Sequence, residues 1–257
     1  MFFYPDFKPT VMALHGSAST AKQWAGLADR LSRSATFIAP DLPGYGAAQH
    51  AEDDRLDTLI RCLSGRTAHI HLIAHSFGGT VALKLANALP GRVASITLYE
   101  PVVALPDAEG QPALPLELAD IRRSTCGGSD VALMAAFLDF WGGHGRWERL
   151  NASQRSRLKS HASGLRRDLM EVASGRWSDT EVNYRGPITL FGGTRSPDVV
   201  ARMMRAIAAD FPQTVCRRIE GLDHLAPLTR PDVVNELFCQ ALISHGADID
   251  RPANLVA

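Results

Sequence analysis

Ser76 lies in the run Leu72-Ile73-Ala74-His75-Ser76-Phe77-Gly78-Gly79, where an apolar strand gives way to small residues and then to the helical stretch Val81-Ala82-Leu83-Lys84-Leu85-Ala86-Asn87. A serine hydroxyl attacks a carbonyl only when a base takes its proton. A sharp strand-to-helix turn holds it out where base and substrate can both reach it. Such an elbow usually reads G-x-S-x-G. Here Ala74 stands for the first glycine and Gly78 keeps the second, and both are small enough for a turn that crowds its own backbone. The same string also describes an ordinary serine at a strand end, so the reading turns on whether other segments bring a base and a loop able to bind an oxyanion.

Two segments do. Thr10-Val11-Met12-Ala13-Leu14 reads as a short buried strand running into His15-Gly16-Ser17-Ala18-Ser19-Thr20. Cys216-Arg217-Arg218-Ile219-Glu220-Gly221-Leu222-Asp223-His224-Leu225-Ala226-Pro227 reads as a strand, a turn and an exposed histidine. With a His-Gly loop, a serine elbow and a late histidine in that order, the chain resembles the α/β-hydrolase fold superfamily, as a serine-nucleophile member with a helical lid, over nearly its whole length. Asp41-Leu42-Pro43-Gly44-Tyr45-Gly46, after Thr36-Phe37-Ile38-Ala39, is similar to the loop that follows the next strand in that superfamily.

The resemblance implies roles. His224 becomes the base, and the backbone N–H groups of Ser17 and Phe77 form the oxyanion hole that stabilises a tetrahedral intermediate. The Ser17 hydroxyl offers a third donor or a cap for the helix beginning near Ala21. His15 shapes its loop and transfers no proton. Relatives usually carry the orienting acid in a G-x-x-D-x-x-x-P-like loop after the strand that follows the lid, but Gly193-Thr194-Arg195-Ser196-Pro197-Asp198 puts Ser196 there. Two carboxylates remain. Glu100 ends Ile96-Thr97-Leu98-Tyr99-Glu100, on the strand directly after the nucleophile strand, from which a minority of the superfamily, haloalkane dehalogenases among them, takes its acid. Asp198 is the alternative, and it would serve equally as a helix N-terminal residue. Glu100 is the first choice, because a glutamate reaches further from a more distant strand. His75 adjoins Ser76 too closely to act as its base and is expected beside the elbow. His69 and His71 share a face of the strand below it and read as core or helix contacts. His50, His144, His161 and His245 have no motif support.

The elements that must position these groups alternate. Strands are expected at 10–14, 36–40, 69–74, 94–99, 187–191 and 215–219, and helices at 21–32, 55–65, 78–89, 198–210 and 230–243. This is the pattern of an α/β fold, a mostly parallel, doubly wound sheet. Only nine residues precede Thr10, so the N-terminal hairpin common in the superfamily must be truncated. Residues 105–182 break the alternation, being Pro-rich and then helical, and read as a helical cap inserted into a core domain made of 1–104 and 183–257. Phe137, Phe140, Trp141, Trp147 and Trp177 are candidates for lining the substrate pocket from above, or for the core of the lid itself. The glycines in Phe140-Trp141-Gly142-Gly143-His144-Gly145-Arg146-Trp147 mark a turn between lid helices. Residues 245–257 lack apolar periodicity and read as a surface appendage.

Composition narrows the partners. The 257 residues are 46% apolar, enough for one sizeable core, and 27 Lys plus Arg balance 27 Asp plus Glu. A formal charge of zero leaves no electrostatic footprint for nucleic acid. Every apolar run is strand-length, far short of the roughly 20 residues that span a membrane, and the N-terminus lacks the features of a secretory signal, so a cytoplasmic setting is the expectation. The four cysteines lack C-x-x-C spacing and read as buried free thiols, and no metal or other cofactor is implied. Arg146, Arg166 and Arg167 in the lid read as solvated. A serine at the elbow excludes the alkyl-enzyme chemistry that needs an aspartate there. The expected activity is hydrolysis of an ester, lactone or thioester of a small, partly apolar substrate through an acyl-enzyme. Carbon–carbon bond hydrolysis and a ligand-receptor role are the alternatives. Oligomeric state has no signature.

Overall fold

The computed structural model describes residues 8–51, 53–65, 69–124, 128–175 and 182–250. The chain begins with β1 (Thr10–Leu14), α1 (Ala25–Leu31), β2 (Thr36–Ile38), α2 (Arg55–Cys62), β3 (Ile70–His75), α3 (Phe77–Ala88) and β4 (Val93–Tyr99). It continues through β5 (Leu105–Pro106), β6 (Pro112–Ala113), α4 (Leu116–Ser124), α5 (Asp130–Gly142), α6 (Ala152–Lys159) and α7 (Ala162–Ser174). It returns with β7 (Ile188–Gly193), α8 (Asp198–Asp210), β8 (Thr214–Ile219), α9 (Ala226–Thr229) and α10 (Pro231–Ser244). Six strands form one sheet in the order β2-β1-β3-β4-β7-β8, and every neighbouring pair is parallel. β5 and β6 form a separate antiparallel pair. The truncated N-terminal hairpin expected from the sequence falls mostly on residues 1–7, outside the described residues, as does Trp177.

The central strands are apolar at nearly every position because helices cover both faces of the sheet. Alternate residues point to opposite sides. Met12, Leu14, Leu72, Ala74, Leu98 and Leu190 join one buried cluster, with Leu59 of α2, Val81 and Leu85 of α3 and Met203 of α8. Val11, Ala13, Ile73, Tyr99 and Phe191 join the other, with Leu27 of α1 and Val234, Phe238 and Leu242 of α10. Since the strands run in parallel, the loops after β1, β3, β4, β7 and β8 all emerge at one edge of the sheet, the edge at which such sheets bind ligands. Each segment singled out for chemistry lies in one of these loops.

Three details differ from the sequence reading. α5 continues through Phe140 and Trp141 to Gly142, and the turn starts only at Gly143, with φ of 85°. Leu133, Met134, Phe137 and Trp141 carry one buried stripe at helical spacing, which holds the helix together past the first glycines. The segment after α10 is no loose appendage: Ala247 and Ile249 are buried in the second cluster, and His245 pairs with Thr189 Oγ1 at 2.9 Å. Two apolar residues in irregular chain give no periodic signal. Of the described cysteines only Cys239 is buried; Cys62 is half-buried and Cys216 faces solvent on the edge strand β8, while Cys126 lies outside the described residues.

His71 is buried on β3 with Nδ1 at 2.7 Å from Ser95 Oγ, and burial lowers its pKa from 6.5 to about 4. The unfolded chain therefore binds more protons than the folded one between those values. The stability that neutral His71 contributes is complete above pH 6.5 and is lost as the pH falls towards 4. The shift corresponds to a contribution on the order of 3 kcal/mol. A His71→Gln variant is expected to lose less stability than the wild type between pH 6.5 and 4 in urea titrations. Equal slopes would remove His71 from the acid response.

Candidate active site

Ser76 separates β3 from α3 and has φ of 55° and ψ of −127°, a conformation that L-residues rarely adopt. The turn is held on both sides of the serine. Its N–H donates to Tyr99 O (3.1 Å), and its carbonyl accepts from Gly79 N (2.8 Å) and Val102 N (3.1 Å). The small residues around it are required by close approaches. A Cβ on Gly78 would lie 2.5 Å from Leu14 O, one on Gly79 2.6 Å from Pro101 Cβ, and one on Gly16 3.0 Å from Ser76 Cβ. β1 and its His-Gly loop thus press directly against the elbow.

His224 Nε2 lies 3.0 Å from Ser76 Oγ, and its Nδ1 lies 2.9 Å from Glu100 Oε2. Ser76, His224 and Glu100 are 3%, 2% and 0% exposed, so this hydrogen-bonded chain is shielded from bulk water. A carboxylate only accepts, which places the imidazole proton on Nδ1 and leaves the Nε2 lone pair facing the serine hydroxyl. The other oxygen of Glu100, Oε1, accepts from Gly193 N and Ser196 Oγ, each at 2.6 Å. Ser196, which stands where the resemblance would put the acid, is a donor to the acid instead. Asp198, the alternative carboxylate, is exposed as the first residue of α8, and the His224 Nδ1 bond goes to Glu100.

The loop carrying His224 is fixed from beneath. Tyr99 Oη donates to Asp223 O (2.9 Å), and His75 Nε2–H donates to His224 O (2.9 Å). A Cβ on Gly193 would fall 2.0 Å from Leu222 O, so the end of β7 must be glycine for this loop to cross it. Burial, with His224 alongside, pushes the pKa of His75 well below its ordinary value. His75 therefore stays neutral and sets no second positive charge beside a protonated His224. Trp141 of α5 stacks on the His224 ring at 3.6 Å between centroids and 20° between planes. Phe140 and Phe137 meet Trp141 edge-on at 4.6 and 6.4 Å, whereas Trp147 is buried with Arg155 of α6 over its ring.

The loop after β1 is equally determined. His15 Nδ1–H donates to Gly16 O (2.8 Å) and its Nε2 accepts from Leu42 N (2.9 Å), joining the loops after β1 and β2. Burial holds the His15 pKa down at about 4, so it is neutral in this staple. The N–H groups of Ser17 and Phe77 have no hydrogen-bond partner among the described residues. The Ser17 hydroxyl gives its one proton to Asp168 Oδ2 (2.5 Å), so it adds no third donor, and among the described residues no backbone N–H of the next helical turn donates to its oxygen. Ala21 N donates to Asp41 Oδ1 (2.7 Å) instead.

Asp168 on α7 and Arg55 on α2 were not singled out by the sequence, although Asp168 falls on the buried stripe of Leu165, Leu169 and Val172, an unusual place for a carboxylate. Asp168 accepts from Ser17, Tyr45 Oη (2.5 Å) and Arg55. Burial raises its pKa to about 7 against the opposing pull of Arg55. Two of the arginines noted from sequence are engaged in contacts of their own. Arg166 pairs with Asp130 (2.7 Å), and exposed Arg167 donates to Ala51 O (3.1 Å). Among the described residues no cluster of three or more potential metal ligands occurs, and no helix is long and apolar enough to cross a membrane.

A parallel sheet with a serine at a sharp strand-to-helix turn and a buried Ser–His–Glu chain at the ends of its strands is the architecture of an α/β hydrolase fold. The chain belongs to the alpha/beta hydrolase family, whose model matches residues 11–237. Lipase LipV of Mycobacterium tuberculosis is 33% identical over 106 residues, covering 39% of this chain and 40% of that protein, so the chain spans well under two thirds of that relative's length. A pimeloyl-[acyl-carrier protein] methyl ester esterase of Methylococcus capsulatus is 25% identical over 95% of this chain and 87% of its own. Among solved structures, MenH from S. aureus superposes with a TM-score of 0.70 at 17% identity, covering 93% of this chain and 94% of that one, which is a likeness of fold.

Proposed function

We propose that the protein is a serine-dependent ester hydrolase that works through an acyl-enzyme on a small, partly apolar substrate. The observation that carries this reading is the unbroken, buried chain from Glu100 through His224 to Ser76 Oγ. Ser76 Oγ attacks the carbonyl carbon as His224 Nε2 takes its proton, and the N–H groups of Ser17 and Phe77 receive the oxyanion. Glu100 stabilises the imidazolium. Collapse of the tetrahedral adduct expels the alcohol or thiol, protonated by His224, and leaves the acyl group on Ser76. Water, deprotonated by His224, then attacks that carbonyl and releases the acid. The relatives named as a lipase and a methyl ester esterase favour an oxygen ester. The aromatic cluster of Trp141, Phe137 and Phe140 against His224 favours an apolar acyl or alkyl portion over a charged one.

The test is hydrolysis of a chain-length series of p-nitrophenyl esters and acyl thioesters, alongside labelling by a fluorophosphonate, with wild type and Ser76→Ala in parallel. The wild type is expected to turn over esters and take one label, and the variant to do neither. A folded wild type that takes no label and hydrolyses no ester overturns the proposal.

A further inference from the structure

Both residues that carry the unpartnered backbone N–H groups, Ser17 and Phe77, are gripped by one buried ion pair. Arg55, 6% exposed, bonds through Nη2 to Asp168 Oδ1, and Asp168 is 1% exposed. The carboxylate end of the pair accepts the Ser17 hydroxyl at 2.5 Å. The guanidinium end lies over the Phe77 ring, with Cζ 4.9 Å from its centroid, a cation–π contact strengthened by desolvation. The pair also spans two layers of the fold. Arg55 starts α2 of the core, whereas Asp168 belongs to α7 between β4 and β7, and Glu171, one turn on in α7, takes the other Arg55 nitrogen as well as Lys84 of α3 at 2.9 Å. Tyr45 Oη completes the carboxylate's shell at 2.5 Å, its ring set edge-on between His15 and His161, each 5.4 Å away.

A buried ion pair is a weak source of net stability, because desolvation offsets much of its Coulomb gain; its better-attested use is to specify one arrangement over others. The arrangement specified here is the relative position of Ser17 and Phe77. We propose that Arg55 and Asp168 are positioning residues that hold the two donors of the oxyanion hole in register, so that the hole is complete only while α7 is seated on the core. Apolar residues could seat α7 equally well; what they could not do is fix the Ser17 hydroxyl and the Phe77 ring from one point. The inference rests on the acyl-enzyme reading given above.

The experiment measures kcat and KM for a p-nitrophenyl ester in wild type, Ser17→Ala, Asp168→Ala, Asp168→Asn and the Ser17→Ala/Asp168→Ala double variant. All rates are normalised to sites titrated to completion with fluorophosphonate. Full removal of an oxyanion donor costs about 10²–10³ in kcat, so misplacing one is expected to lower kcat roughly 10- to 100-fold in Ser17→Ala and Asp168→Ala, with KM within about two-fold. The inhibition constant of a trifluoromethyl ketone should rise in step with the loss in kcat. Asp168→Asn, which keeps an acceptor for Ser17, should recover part of the rate. The double variant should fall well short of the product of the two single losses, because both remove the same link. Ser17→Ala leaves the ion pair intact and keeps the test available if Asp168→Ala does not fold. Labelled, folded variants with wild-type kcat, or losses that multiply in the double variant, overturn the positioning role. A wild type that takes no label overturns the acyl-enzyme reading instead.

Discussion

Replacing Glu100 by glutamine is expected to lower kcat roughly 10⁴-fold, the scale of loss seen when the acid of a serine–histidine pair becomes an amide. The direction follows from the partners of the two oxygens. Oε1 accepts from Gly193 N–H and the Ser196 hydroxyl, so in the variant the amide carbonyl must stay on that side. The amide NH₂ is then turned to His224 Nδ1, where it can only donate. His224 adopts the other tautomer, with its proton on Nε2, and has no lone pair for the Ser76 proton. Asp198→Ala, by contrast, removes an exposed carboxylate at the start of α8 and is expected to leave kcat within about two-fold while costing at most about 1 kcal/mol of helix-terminus interaction. Initial rates on one p-nitrophenyl ester, normalised to labelled sites, compare the two. Full turnover in Glu100→Gln together with loss in Asp198→Ala would reverse the assignment of the acid.

Ser76→Ala and Ser76→Gly are both expected to abolish measurable turnover, a loss on the order of 10⁶ when a nucleophile is deleted. They should differ in stability, with a sign opposite to the usual one. At an ordinary position glycine is less stable than alanine, because the unfolded chain gains conformational freedom. At φ 55° and ψ −127° a Cβ is strained, and such strain is worth about 1–3 kcal/mol. The glycine variant should therefore be the more stable of the two by about 1 kcal/mol in urea unfolding monitored by circular dichroism. A glycine variant that melts first would mean that the elbow carries no strain at Ser76.

The parts legible in the sequence are those encoded locally. Buried strands announce themselves as β-rich runs. The elbow needs small residues at fixed offsets from Ser76, and the loops before Ser17 and around His224 each keep their short pattern. Glu100 could be narrowed to one of two because it ends a strand whose neighbour is known from chain order. Choosing between it and Asp198 needed the third dimension, since a side-chain bond across 124 residues leaves no trace in spacing. The same holds for Arg55 and Asp168, which are 113 residues apart, and for the Ser17 hydroxyl, whose partner lies 151 residues away. Trp141 carried a compositional hint of pocket lining, but its stacking on His224 is fixed by the last turn of α5, a turn that the following glycines disguised.

β3 and β4 are paired in register up to His75 opposite Tyr99, and the next residue of each strand is Ser76 and Glu100. The sheet therefore acts as a ruler for the two ends of the proposed relay, and it does so within the first 100 residues, before the chain departs into 105–182. Only His224 arrives from the far side of that excursion, and three of its anchors, Tyr99, His75 and Glu100, lie on the near side. Such an architecture fixes the serine-to-acid spacing independently of the excursion, while the excursion reaches back to the other groups through Trp141 on the His224 ring and Asp168 on Ser17. Evolution can lengthen or shorten the excursion elsewhere, and so change the range of acceptable molecules, without recalibrating the ruler, provided Asp168 and Trp141 keep their seats.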